Sequence, residues 1–280
     1  MPQEIFYPRS RCSRAASLRI YSFRSWPLCS LILTDMISLF LKKQPPPTRF
    51  LILFPGRTGS TYLISCLQAH SQVIAEFEKL CDKTSEQQQA FVREFYDTPR
   101  HRRIRAVGFK TKPKTIRDHD GFAAMMRERG IRINQLRRRN LVKAAVSTIN
   151  ARRLFDLTGE WNRSNTIKEV GPLLVPPEKL VEMIDLCAHD RAEVKRYVDF
   201  LKLPTITLDY EDLLADRKAF FAQIAGFLEI GRITLRGAFE KNTNDDLRHA
   251  LVNYDEIHSH FSGTVFEEDF SQAGTCGQGD

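Results

Sequence analysis

The stretch Arg49-Phe50-Leu51-Ile52-Leu53-Phe54, followed at once by Pro55-Gly56-Arg57-Thr58-Gly59-Ser60-Thr61-Tyr62, decides how the rest of the chain is read. After Arg49 the first half is unbroken in its apolar character, which suits a short strand buried on both faces. Pro55, Gly56 and Gly59 then supply turn residues, and Ser60 to Ala69 carries helical material. The unit is strand, tight loop, helix. Its glycines let successive backbone N–H groups fold round one anion, with the positive end of the helix facing that anion and the hydroxyls of Ser60 and Thr61 adding hydrogen bonds. Residues Gly56, Arg57, Thr58, Gly59, Ser60, Thr61 and Tyr62 therefore form a candidate phosphate-holding loop. A plain strand-to-helix connection would use the same residue types.

Working outward, apolar runs predict further strands at Ile104–Lys110, Ile131–Leu136 and Thr205–Leu208, with helices over about Asn140–Leu157, Glu178–Leu201 and Arg217–Leu228. Strands alternating with helices predict an α/β fold with a parallel sheet. The polar, Pro- and Gly-marked text between residues 159 and 177 reads as a long loop of the kind that shapes binding pockets. The loop at Gly56 departs from a Walker A sequence, which would place Gly-Lys where Thr61-Tyr62 stands.

The chain has 280 residues, a length suited to one sizeable domain. Pro45, Pro46 and Pro47 separate that domain, read as residues 48–270, from a leader. In the leader (1–47), Arg9, Arg11, Arg14, Arg19 and Arg24 lie among serines ahead of an apolar run from Trp26 to Leu41. A membrane span needs about 20 apolar residues, and this run is shorter and holds Asp35. The leader is read as targeting-like or disordered, with Met36 as an alternative start, and residues 271–280 as a flexible tail. The net charge of +8 concentrates between Arg100 and Arg139, which favours an anionic partner. Six cysteines without a CxxC or a Cys/His pairing support neither a metal site nor a disulfide framework and fit a reducing, cytoplasmic setting, the leader being a candidate targeting segment or weak anchor.

Read together, these segments resemble the PAPS-dependent sulfotransferases (PAPS, 3'-phosphoadenosine-5'-phosphosulfate), and most of all the bacterial carbohydrate-type members. The loop at Arg57 is similar to the family's 5'-phosphosulfate loop, with Arg57 at its basic position. Arg139-Asn140-Leu141 through Ser147 looks like the 3'-phosphate motif, an Arg leaving a strand with a Ser eight positions later. Leu208-Asp209-Tyr210-Glu211-Asp212-Leu213 resembles the family's Tyr-Glu-Asp-Leu segment, with Tyr210 the candidate adenine contact and Tyr62 a second. The resemblance implies a single P-loop-NTPase-like α/β domain with a central parallel sheet flanked by helices, PAPS as co-substrate, 3',5'-ADP as product, no metal, and a small-molecule or carbohydrate acceptor carrying a hydroxyl.

Sulfuryl transfer needs an acceptor relieved of its proton, positive charge at the leaving oxygen and in-line geometry. Arg57 is the expected leaving-group cation, supported by Lys110 in Gly108-Phe109-Lys110-Thr111-Lys112-Pro113. That segment resembles Lys-Thr-His-Leu-Pro of the cytosolic small-molecule enzymes, but Lys112 replaces the His that acts there as base. An ordinary lysine is protonated at neutral pH and cannot act as one. The His70 to Glu78 segment is similar to a bacterial family pattern that carries a glutamate after the first helix, which makes Glu78 the candidate general base, with Glu76 and a deprotonated Lys112 as alternatives. Lys241, in a C-terminal segment lacking the family's Arg-Lys-Gly signature, is a candidate substitute 3'-phosphate ligand.

Two other readings compete. A P-loop nucleotide kinase would share the architecture and could take Asp209 as its magnesium carboxylate, but the loop has no Lys. A non-catalytic basic nucleic-acid binder would explain the charge, but no motif of that class accompanies it and no nucleic acid is expected as a partner. Membrane association and oligomeric state stay open at this point.

Overall fold

A computed structural model describes residues 45–161, 171–234 and 243–271. The expectations for the leader up to residue 44, for Lys241 and for the tail after Ser271 lie outside these residues, as does the middle of the 159–177 loop.

The quoted stretch folds as read. Strand β1 (Thr48–Leu53) runs into a turn, and helix α1 (Ser60–Gln68) begins directly after Gly59. There follow β2 (Val73–Glu76), α2 (Ser85–Asp97), β3 (Ala106–Thr111), α3 (His119–Glu128), β4 (Arg132–Arg137), α4 (Leu141–Thr158), α5 (Pro177–Leu201), β5 (Thr205–Asp209), α6 (Tyr210–Ala215) and α7 (Arg217–Leu228). Three short helices, α8 (Leu247–Ala250), α9 (Tyr254–Phe261) and α10 (Glu267–Ser271), complete the described chain. Four strands were expected and the described residues hold five. The missed one, β2, has only four residues with alternating burial, too short for periodicity to separate it from a loop.

The sheet is parallel throughout, in the order β2-β3-β1-β4-β5. Its central strand β1 is apolar on both faces from Phe50 to Leu53 because both faces are covered. Phe50, Ile52, Leu136 and Leu208 pack against Leu63, Ile64 and Leu67 of α1 and Phe220, Phe221 and Ile224 of α7. On the opposite face Leu51, Leu53, Phe109 and Ile133 meet α2, α3 and α5 through Phe95, Met126 and Val198. A third cluster joins α4 and α5 to the C-terminal helices through Val142, Ile184, Ile257 and Phe270.

Gly108 shows how closely β1 and β3 approach. A Cβ there would lie 2.3 Å from the Phe50 carbonyl oxygen and 2.4 Å from the Phe50 ring. Overpacking of this kind costs about 1–3 kcal/mol when neighbours can shift, and here the neighbour is backbone. Gly108→Ala should therefore lower the melting temperature by roughly 5–10 °C in a thermal melt; an unchanged melt would mean that the two strands can separate freely.

Candidate active site

Every strand of a parallel sheet points its carboxyl end the same way, and ligands of open α/β folds bind there, where the strand order reverses. Here β1 is followed in the chain by strands on one side of it and then by strands on the other, so the reversal falls at β1 and its loop. A cleft of ≈ 1280 Å³ opens at that edge. Each strand contributes a lining residue at or just beyond its end: Arg57 after β1, Glu78 after β2, Lys110 in β3, Arg138 after β4 and Tyr210 after β5.

The loop closes tightly. Thr58 Oγ1 donates to the Pro55 carbonyl at 3.3 Å, and Gly59 adopts φ +73°, which side chains other than glycine rarely tolerate. A Cβ on Gly59 would also meet the Tyr210 ring at 3.0 Å, so the loop and the β5 end are fitted to each other. Arg57 takes a left-handed conformation too, φ 61°, a strain that non-glycine residues keep when their surroundings hold them. Arg138 Nη1 holds its carbonyl at 3.3 Å.

Two cationic ends can be told apart in the cleft. At the first, Lys110 is almost wholly buried; its Nζ donates to Ser60 Oγ at 3.3 Å and Thr61 Oγ1 at 3.1 Å and lies 3.4 Å from Glu78 Oε1. Lys112 approaches the other Glu78 oxygen at 3.9 Å. Desolvation pulls the Lys110 ammonium below the ordinary lysine range; Glu78 resists that pull, while Lys112 and Arg57 add to it. Glu76 pairs with Lys79 at 3.4 Å, so of these two glutamates it is Glu78 that lines the cleft, which Asp190 and Asp245 also border.

At the second end, Arg57 Nε donates to Ser147 Oγ at 3.1 Å, joining two residues 90 positions apart. Burial, with the nearby charge of Arg138, lowers the Arg57 guanidinium to about 10. Arg138 is itself only 8% exposed, its Nε has no hydrogen-bond partner, and no carboxylate among the described residues lies within ion-pair distance of it. Its guanidinium sits over the Tyr210 ring, 4.6 Å from the centroid. A buried guanidinium with no carboxylate partner among the described residues is a candidate contact for an anion.

Two of the expected residues are placed differently from the sequence reading. Arg139 does not line the cleft. Its guanidinium is held at 2.8 Å by both Asp209 and Asp212, and the inward-facing arginine is its neighbour Arg138. Arg57, expected at the leaving oxygen, directs its guanidinium to Ser147, and the cation beside Ser60 and Thr61 is Lys110. The other expected residues, from Gly56 through Tyr62 with Glu78, Lys110, Ser147 and Tyr210, come together on one cleft. Asp209, the carboxylate a kinase would need for magnesium, is taken by Arg137 and Arg139; burial opposes its ionisation, but the two guanidiniums outweigh burial and hold it below its ordinary value.

No helix of the described residues is long and apolar enough to cross a membrane. No family model matches the chain. Two curated relatives are similar to it along most of their length. Nodulation protein H of Rhizobium tropici is 25% identical over 241 residues, covering 81% of this chain and 94% of the relative. Nodulation protein H of Rhizobium meliloti (strain 1021) is 24% identical over 245 residues, covering 81% and 97%. Solved structures that match include the sulfotransferase from Alicyclobacillus acidocaldarius (TM-score 0.40, 18% identity, 82% of this chain and 97% of that one). A mouse sulfotransferase complexed with PAP also matches (TM-score 0.42, 10% identity, 66% of this chain), and the chain spans 59% of that enzyme's length. Along 81% of its length the chain is thus similar to the two nodulation proteins, and the segments singled out in its sequence border one cleft.

Proposed function

We propose that the protein moves a sulfuryl group from PAPS to a hydroxyl of a small-molecule or carbohydrate acceptor, with Glu78 as base. The hydrogen bond between Arg57 and Ser147 carries this reading, because it brings two distant anion-binding segments to one cleft. A nucleotide with phosphate at both ends of its ribose would meet Ser60, Thr61 and Lys110 at one end and Arg57, Arg138 and Ser147 at the other. Tyr210, on the same cleft, is the candidate contact for the base.

In this reading Glu78 takes the acceptor proton as the acceptor oxygen attacks sulfur. The bond from sulfur to the bridging phosphate oxygen breaks, its electron pair stays on that oxygen, and Lys110 neutralises the charge that develops. The products are the sulfated acceptor and 3',5'-ADP. Catalysis is then mostly positioning and electrostatic stabilisation.

Thermal stabilisation tests the donor. Saturating 3',5'-ADP should raise the melting temperature by several degrees, since ligand at about 100 times its Kd adds about 2.7 kcal/mol. ATP with magnesium should do less, and a preference for ATP with magnesium would sink the reading in favour of a kinase. A salt bridge or hydrogen bond to a charged group is worth about 1.5–3 kcal/mol, so Arg138→Ala should weaken 3',5'-ADP binding roughly 10- to 100-fold by calorimetry. Arg139→Ala should change it far less.

A further inference from the structure

The first turn of α4 is closed in an unusual way. A helix start leaves its first amides without partners, and such amides commonly hold a ligand anion. Here consecutive amides are already occupied by side chains of the protein. Glu211 accepts from Arg139 N at 3.0 Å and Asn140 N at 3.2 Å. Asp269 Oδ2 accepts from Leu141 N at 3.1 Å and Val142 N at 3.5 Å. Asn140 Oδ1 accepts from Lys143 N at 2.7 Å.

Asp269 reaches this position from α10, 128 residues further along the chain. The Asn140 side chain donates to its carbonyl at 2.7 Å, and its neighbour Phe270 is buried against Phe261, with ring centroids 5.5 Å apart. Arg138 stands one step before the capped turn and Ser147 two turns after it. Fixing that turn therefore fixes the spacing between the guanidinium and the hydroxyl that face the second end of the cleft.

From this geometry we infer that Asp269 is a positioning residue for the 3'-phosphate end of the donor. By capping α4 it sets the distance between Arg138 and Ser147, and with Glu211 it closes the helix start, so that the phosphate is recognised by side chains and not by backbone. The inference rests on the proposed donor. Burial raises the Asp269 carboxyl above its ordinary value, while the Val142 and Leu141 amides and Arg191 pull it back against the push of Glu211. Asparagine offers a cap oxygen without burying a charge and should serve nearly as well.

The experiment is calorimetric titration of the full chain with 3',5'-ADP and with 5'-AMP, which lacks the 3'-phosphate. Asp269→Ala should raise the Kd for 3',5'-ADP about tenfold and leave that for 5'-AMP unchanged, and Asp269→Asn should restore wild-type discrimination. Equal weakening of both nucleotides, or of neither, overturns the inference while leaving the donor standing. A wild-type chain that does not distinguish the two nucleotides overturns the donor and the inference with it. Should Asp269→Ala fail to fold, hydrogen exchange of the wild type decides. The Leu141 and Val142 amides should be protected like the interior of α4, and exchange at the rate of a frayed helix end overturns the inference.

Discussion

Replacing Lys110 with methionine is expected to lower kcat by about 10²–10³, the cost of removing one preorganised donor from a developing oxyanion. Methionine keeps the apolar stem that packs beside Phe54 and Phe77, whose ring centroids lie 4.9 and 5.3 Å from the ammonium, so the loss isolates the charge from the packing. The Kd for 3',5'-ADP should move less than kcat, because Arg57, Arg138 and Ser147 hold the other end. Initial rates, followed by the mass gain of one SO₃ group on an acceptor found by panel screening, would measure this. A Lys110→Met enzyme within a few-fold of wild type would return the leaving-group role to Arg57.

Glu78→Gln is expected to cost about 10²–10⁴ in kcat, the usual range for a positioned general base. Glutamine keeps the shape and can still accept a hydrogen bond from Lys110, so the fold should be unaffected. The substitution also changes the pH profile with a definite sign. Lys110 is needed as a cation, so activity is present below its pKa and lost as pH rises through it. Burial already depresses that pKa and Glu78 raises it; removing Glu78 should shift the alkaline limb to lower pH. Full activity in Glu78→Gln would move the base to Glu76, to a deprotonated Lys112 or to another carboxylate of the cleft wall, Asp190 or Asp245.

How much of this could be read beforehand differs from segment to segment. The unit from Arg49 to Tyr62 was legible because a strand covered on both faces leaves an unbroken apolar run, and because tight turns call for glycine. Helix α2 was not assigned, although Thr84 and Gln87 form a capping box at its start that the sequence displays. The choice among Arg137, Arg138 and Arg139 was not legible at all. It is decided by Asp209 and Asp212, some 70 residues away, which take two of the three guanidiniums and leave the middle one facing inward. Likewise the cap by Asp269 has no local signature, since the amides it satisfies belong to a different part of the chain.

The neighbouring charges of Arg57 and Arg138 have a practical consequence. Two guanidiniums that push on each other beside one cleft favour a tetrahedral anion settling between them. Phosphate or sulfate in a storage or assay buffer would then act as a weak competitor and, at the same time, as a protectant. Activities and melting points taken in such buffers should not be set beside values taken in chloride.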